Sequence, residues 1–445
     1  MRKNFRVLGT VFALALAVTA GCAATGGNAQ SSVTSETQAE TAVEQGNETA
    51  AGGQSGSGTQ TESGNQAESG TQMGSGTQTE SGNQAGSGSQ VESGNQTGSG
   101  NQAGSGTHTE SASLTEKPVK DMAGRDIQVP DVVKSVYSTS PVGTNFMYTF
   151  DDRMVAGLNV DLSDEEKRFT TEYYQNLPNF GGWYGKGNEG NIEEIIKADP
   201  DLVLASGVDR SSIDTADQLQ EKLGIPVVLI DTDFDSMAES YRFVGRITGN
   251  VERGEKLAAY TEETIQRARE ITASIPEDKR VTVYYAEEAL GLNTDPSGSP
   301  HSRLIDLCGG INVADCEISP GYGRTEVSME QVIAWDPQFI IACVDNGFAD
   351  SGSYSAIMNN SQWAVIRAVK DGHVYETPTV PQNWFDRPPS VNTIIGIKWV
   401  QNLLYPEYTD YDIKEETKAF YSLFYHYDLS DGEVDSLLAR SLRAQ

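Results

Sequence analysis

From residue 117 onward, short runs of contiguous apolar residues alternate with stretches in which apolar positions recur every three or four residues. The exception comes first. Val119 to Pro130 alternates apolar and polar positions on either side of Ala123-Gly124 and stops at a proline, the pattern of a β-hairpin. Then come three β-rich runs, Val132 to Tyr137, Asp201 to Ala205 and Pro226 to Ile230, and a second set at Val281 to Tyr285, Phe339 to Cys343 and Gly372 to Glu376. Apolar runs alternating with helical stretches predict parallel sheets covered on both faces, hence an α/β chain in two lobes, 117–249 and 277–445. Between the lobes, 250–276 has helical spacing at Leu257, Tyr260, Ile265, Ala268 and Ile271, a polar cap at Asn250 and a stop at Pro276. That predicts one long linking helix of about 37 Å at 1.5 Å per residue. The tail, Glu415 to Leu442, reads as two further helices.

Composition changes the picture for the first quarter of the chain. Residues 23–116 carry ten Glu, no Lys and no Arg, and between Gly56 and Thr109 a hexad of the type Gly-Ser-Gly-Thr-Gln-Thr repeats nine times. With almost no apolar position, such a repeat has nothing to stack and reads as a linker, about 50–60 Å from end to end as a coil. Residues 1–22 have the three parts of an export signal: Arg2, Lys3 and Arg6, the apolar run Val7 to Val18, then Thr19-Ala20-Gly21 before Cys22. The whole chain has a formal net charge of -31, and the part beyond residue 116 holds 53 acidic against 29 basic side chains. Phosphate backbones need a basic face, so nucleic acid is excluded as the expected partner. Cys22, Cys308, Cys316 and Cys343 are too few for a disulfide scaffold; Cys308 and Cys316 either bridge or lie buried.

Chemistry-bearing motifs are few. Gly185 to Gly190 fits a dinucleotide-binding pattern but no apolar strand leads into it, so it reads as a loop. The four histidines have no metal-ligand spacing, and no activated nucleophile or phosphate loop is recognisable, so no enzyme activity and no cofactor are expected. One phrase, however, occurs once in each lobe. Asn191-Ile192-Glu193-Glu194-Ile195-Ile196-Lys197-Ala198-Asp199-Pro200 parallels Ser328-Met329-Glu330-Gln331-Val332-Ile333-Ala334-Trp335-Asp336-Pro337, each a capped short helix broken by proline before a buried strand.

These paired phrases, with Asp121-Met122-Ala123-Gly124-Arg125, Leu304 to Ala314 and Trp363 to Tyr375, resemble the extracytoplasmic substrate-binding proteins of bacterial ABC importers, in the class that carries ferric siderophores, haem and cobalamin. The resemblance implies two Rossmann-like lobes joined by one long helix, with ligand in the cleft between them. It further implies that Glu193 and Glu330 dock onto an ABC permease dimer with its ATPase. Cys22 resembles the acylated cysteine of a bacterial lipobox, with Thr19 where leucine is usual, which implies a lipid anchor on the outer face of the membrane and a monomeric receptor. Open α/β sheets bind solutes at the carboxyl ends of their strands. The loops expected there supply Thr144, Trp183, Tyr184, Arg210, Tyr322, Arg324, Asn346, Trp384, Phe385 and Arg387 as ligand contacts: aromatic faces for a chelate or macrocycle, and guanidiniums for anionic oxygens. The expected solute is an iron complex of the ferric siderophore kind. Cobalamin, haem or another metal complex is the alternative on the same fold, and a surface adhesin or sensor the alternative of another class.

Overall fold

The structure, a computed structural model, describes residues 115–443 apart from 186, 321–323 and 344–351. The expected signal peptide, linker and acylation site at Cys22, and the expected contacts Tyr322 and Asn346, lie outside the described residues.

The chain enters through an antiparallel hairpin, β1 (Glu116–Lys120) and β2 (Asp126–Pro130). Asp121 locks its turn. One carboxylate oxygen accepts from Ala123 N and Arg125 N at 3.1 and 2.8 Å, and the other accepts from Leu229 N and pairs with Arg125 Nη1. The Asp121-to-Arg125 phrase therefore ties the hairpin to the N-terminal sheet. That sheet is parallel, β3 (Val136–Ser138), β4 (Leu202–Ser206) and β5 (Val227–Ile230) in that order.

Between β3 and β4 lie α1 (Pro141–Phe150) and α2 (Ile192–Ala198); α3 (Arg210–Leu223) and α4 (Met237–Thr248) flank β5. Thr144, expected on a loop, lies in a helix from Pro141 because Ser140 caps Gly143 N and proline at the first position is already set for a helix. The linking helix is α5 (Val251–Ser274), capped by Asn250. It meets α4 closely at Gly254, where a Cβ would fall 2.6 Å from Tyr241 O.

The C-terminal lobe holds β6 (Thr282–Ala286), the short β7 (Asn293–Thr294), β8 (Ile311–Asn312) and β9 (Thr325–Glu326), α6 (Met329–Trp335), β10 (Phe339–Ala342) and β11 (Val374–Glu376). Its main sheet is parallel in the order β11-β10-β6-β8, while β7 and β9 pair antiparallel at its edge. One apolar cluster runs through both lobes along α5; two smaller ones cover the outer faces of the sheets. Cys308 and Cys316 are both free thiols and belong to different clusters.

The tail does not stay with the lobe that precedes it. After α7 (Thr393–Leu404), α8 (Ile413–Phe420) runs into a π-helical turn, Tyr421–Tyr425, that packs on α1. Asn145 Nδ2 donates to Tyr425 OH at 3.1 Å, and Tyr148 OH donates to Tyr425 O at 2.9 Å. Arg253 of the linking helix donates to Phe150 O, Thr149 O and Leu423 O at 2.9, 2.6 and 2.8 Å, closing the junction. The chain then returns as α9 (Asp431–Leu437), and Ser441 Oγ donates to Glu376 O at the end of β11.

Candidate functional site

The two sheets present their carboxyl ends to a cleft, and its two walls are built differently. On the N-terminal side the wall is a knot of neutral hydrogen bonds. Asn159 donates to Ser138 O and Gly181 O at 2.9 and 2.7 Å, and Tyr137 OH donates to Gly181 O at 2.7 Å. Thr144 is buried inside α1, where its hydroxyl donates to Asn159 Oδ1; it supports the wall instead of facing a solute. Trp183 N donates to Thr139 O at 2.7 Å, and its ring lies on Gly190 so closely that a Cβ there would be 2.6 Å away. Tyr184 lines an open depression of about 400 Å³ with Asn159, Gly181, Gly182 and Asn191. Arg210 opens α3, exposed and paired with Asp214 at 2.7 Å. It is not brought to the other candidates by any described contact.

On the C-terminal side the wall is charged. Glu287 directly follows β6, and Asp295 follows β7; both side chains are fully buried. Arg324 Nε donates to Glu287 Oε1 at 2.9 Å, and its Nη1 approaches Glu288 Oε1 at 3.7 Å. Arg387 Nε lies 3.1 Å from Asp295 Oδ2 and 3.2 Å from Glu287 Oε1, with Nη2 also on Asp295. Asp295 Oδ1 accepts from Ser299 Oγ at 2.9 Å. Burial, reinforced by Asp295, pushes the Glu287 carboxyl up to about 8 against the opposing pull of Arg387 and Arg324. Asp386 is likewise raised by burial although it pairs with His301. Arg387 is raised, since Glu287 and Asp295 outweigh a burial that acts in the opposite direction.

Asn383 shapes the loop that carries Arg387. Its side-chain oxygen accepts from Phe385 N and Asp386 N at 2.7 and 3.2 Å, turning the chain inward. Phe385 consequently stacks on Tyr285 with centroids 4.1 Å apart while one face lines the inter-lobe cavity. Trp384 is 0% exposed, set edge-on to Trp399 and with its carbonyl against Gly396, so it packs the lobe and is not a cleft surface. The cavity itself is small, about 70 Å³, between Thr232 to Met237 on one side and His301, Arg303, Phe385 and Asp386 on the other. Arg303 spans it from the C-terminal lobe, with Nη2 2.8 Å from Asp235 Oδ2, a second contact to Asp233, and its guanidinium over the Phe234 ring.

Of the groups that meet in this wall, sequence reasoning singled out the two arginines and not Glu287, Asp295, His301, Asp386 or the Arg303 bridge. For Glu287 a signal existed: an acidic residue immediately after a largely apolar strand run stands where α/β sheets bind.

The matched phrases form matched helices. Ile195 is buried in α2, Met329 and Val332 in α6, and Glu193 and Glu330 are exposed in the first turns. Both helices end on an aspartate in the left-handed region, Asp199 (φ 49°) and Asp336 (φ 41°), ahead of proline. A family model described as periplasmic binding protein matches residues 137–381, from β3 through the loop after β11. The chain belongs to that family.

Among its relatives is the molybdate-binding protein MolA of Haemophilus influenzae, 25% identical over 340 residues, 71% of this chain and 92% of that protein. The iron(3+)-hydroxamate-binding protein FhuD of Bacillus subtilis is 22% identical over 224 residues, 49% of this chain and 68% of that protein. A solved ABC transporter solute-binding protein of Sulfurospirillum deleyianum superposes with a TM-score of 0.66 at 32% identity, over 72% of this chain and 99% of its own. The family's two-lobed α/β architecture with parallel sheets is the one described above. Its members are extracytoplasmic solute-binding proteins that deliver ligands to an ABC permease and ATPase and bind no cofactor, and this chain is one of them.

Proposed function

We propose that this protein is the lipid-anchored receptor of an ABC importer for a metal-containing solute that presents anionic oxygens, loaded in the cleft between the lobes. The observation that carries this reading is the convergence of Arg324 and Arg387 at the carboxyl end of the C-terminal sheet, 23% and 12% exposed. Guanidiniums in a partly desolvated wall recognise oxyanions bidentately. Within that class a compact metal oxyanion of the molybdate type comes first. MolA, whose length is almost wholly matched, is named for molybdate. The ferric chelate expected from sequence comes second, with cobalamin and haem, because such ligands require the Arg303 bridges to Asp233 and Asp235 to part.

Delivery falls to Glu193 and Glu330. One exposed carboxylate at the same place in each lobe suits a permease dimer that offers the same basic surface twice. Cys22 supplies the anchor.

The test is calorimetric titration of the full chain with sodium molybdate, a ferric hydroxamate, cobalamin and haem. Saturable binding of molybdate alone supports the oxyanion. Binding of the ferric chelate without molybdate moves the assignment to the second reading, and no binding of any of the four sinks the solute class. For delivery, Glu193→Arg with Glu330→Arg is expected to abolish uptake in cells while solute affinity is retained; unchanged uptake removes the docking role.

A further inference from the structure

The repeated phrase carries more than its glutamates. Three residues after Glu193 stands Ile196, and three after Glu330 stands Ile333. Both isoleucines are exposed, 45% and 41%, and neither belongs to the apolar clusters that hold the lobes together. The residue before each, Ile195 in α2 and Val332 in α6, is the one that packs inward. Residues three apart on a helix are neighbours on its surface, so each of these helices shows a carboxylate and an isoleucine side by side.

Local folding does not account for the isoleucines. A single exposed apolar residue is ordinary, but these two stand at the same position of matched helices in different lobes. Isoleucine is a weaker helix former than alanine, leucine or lysine, and outside every cluster no packing compensates for that. The polar neighbours, by contrast, are engaged locally. Glu194 pairs with Lys197 at 3.2 Å, Gln331 Oε1 accepts from Ser328 N at 2.9 Å to complete a capping box, and Asp336 lies 3.4 Å from Arg367. Glu193 and Glu330 make no ion pair or side-chain hydrogen bond among the described residues. Exposed ion pairs are weak because water screens them, and an apolar side chain that is covered beside the pair on docking excludes that water.

Resting on the reading of Glu193 and Glu330 as docking groups, we propose that Ile196 and Ile333 are the apolar half of the same two contacts. Each lobe seats on one permease subunit through a carboxylate and an isoleucine, against a basic side chain bordered by apolar surface. The two-fold symmetry of the partner is what fits the repeat: two copies of one permease surface meet two copies of one Glu-x-x-Ile face.

The test places the photoreactive residue p-benzoylphenylalanine in place of Ile196 or of Ile333 in the full chain, in cells that carry the importer, and identifies captured proteins by mass spectrometry. Each position is expected to capture a permease subunit, and Glu193→Arg with Glu330→Arg to abolish both captures. Capture from neither position, or from one lobe only, overturns the proposal. The same probe in place of Lys197 or Ala334, one turn on from each glutamate, separates the two readings. Permease captured there but not from the isoleucines overturns this proposal and leaves docking through the glutamates standing; none from any of the four positions sinks the docking reading with it. With the probe at Ala334 and the receptor at low level, Ile196→Ser in the other lobe is expected to lower the yield by about tenfold. An unchanged yield overturns the apolar contact. The Ile196→Ser chain is expected to melt within about 2 °C of wild type, and a larger drop also overturns the proposal by placing that side chain in the fold.

Discussion

The two lobes repeat one plan, yet their cleft walls obey different physics. In the N-terminal wall neutral groups hold the backbone in place: Asn159, Tyr137 and Trp183 fix a loop through Ser138, Thr139 and Gly181. In the C-terminal wall the ionisable groups Glu287, Asp295, Arg324 and Arg387 are mostly buried and held largely through one another. Neutral bonds give shape that holds across pH and salt. Buried ions give affinity for charge, at the cost of a site that collapses when one member is lost.

The sharpest break in this contrast is Arg387→Ala. It leaves Asp295 and Glu287 without their shared cation, and removing one partner from a buried pair costs about 3–5 kcal/mol. Urea unfolding is expected to register that loss; a change below about 1 kcal/mol means the wall relaxes around the gap. Next comes pH. The folded value of Glu287, about 8, lies above the ordinary 4.5, so its contribution to stability is complete below pH 4.5 and disappears as pH rises through 8. Melting temperatures between pH 5 and 9 should decline more steeply in wild type than in Glu287→Gln, and parallel curves would remove the charged character assigned to this wall.

Asn159→Ala is expected to cost less, about 1–3 kcal/mol for buried carbonyls losing their donor, with molybdate affinity nearly unchanged. A large drop in affinity there would mean that the neutral wall recognises the solute too. Smallest is Arg303→Ala. Its bridges are more than a third exposed, so stability should shift by about 0–1 kcal/mol, while small-angle scattering tests whether the lobes then part.

Much of this was legible in the chain. The apolar runs and the hairpin fell within a few residues of the observed strands, and 250–276 contains the observed Val251–Ser274 helix. Local signals were enough because strand burial and helix capping are local. Helix α1 was missed although Ser140-Pro141 is a good start, since Gly143 to Phe150 are all buried and a helix apolar on every side has no stripe to read. Trp384 was expected as a ligand contact because an aromatic face on a loop at the strand ends suits a chelate; the Asn383 bonds that shape that loop exist only in three dimensions. Asp295 was invisible for a related reason: it and Arg387 meet across 92 residues. Glu193 and Glu330 could be picked out because the phrase occurs twice.

The crossing of the tail onto α1 has a consequence in time. Asn145 and Tyr148 are closed over by Tyr425, which follows them by 280 and 277 residues. A chain that emerges from its amino end therefore cannot complete the core of its first lobe until nearly its last residues are available. Such long-range closure slows folding and leaves the first half waiting on the last.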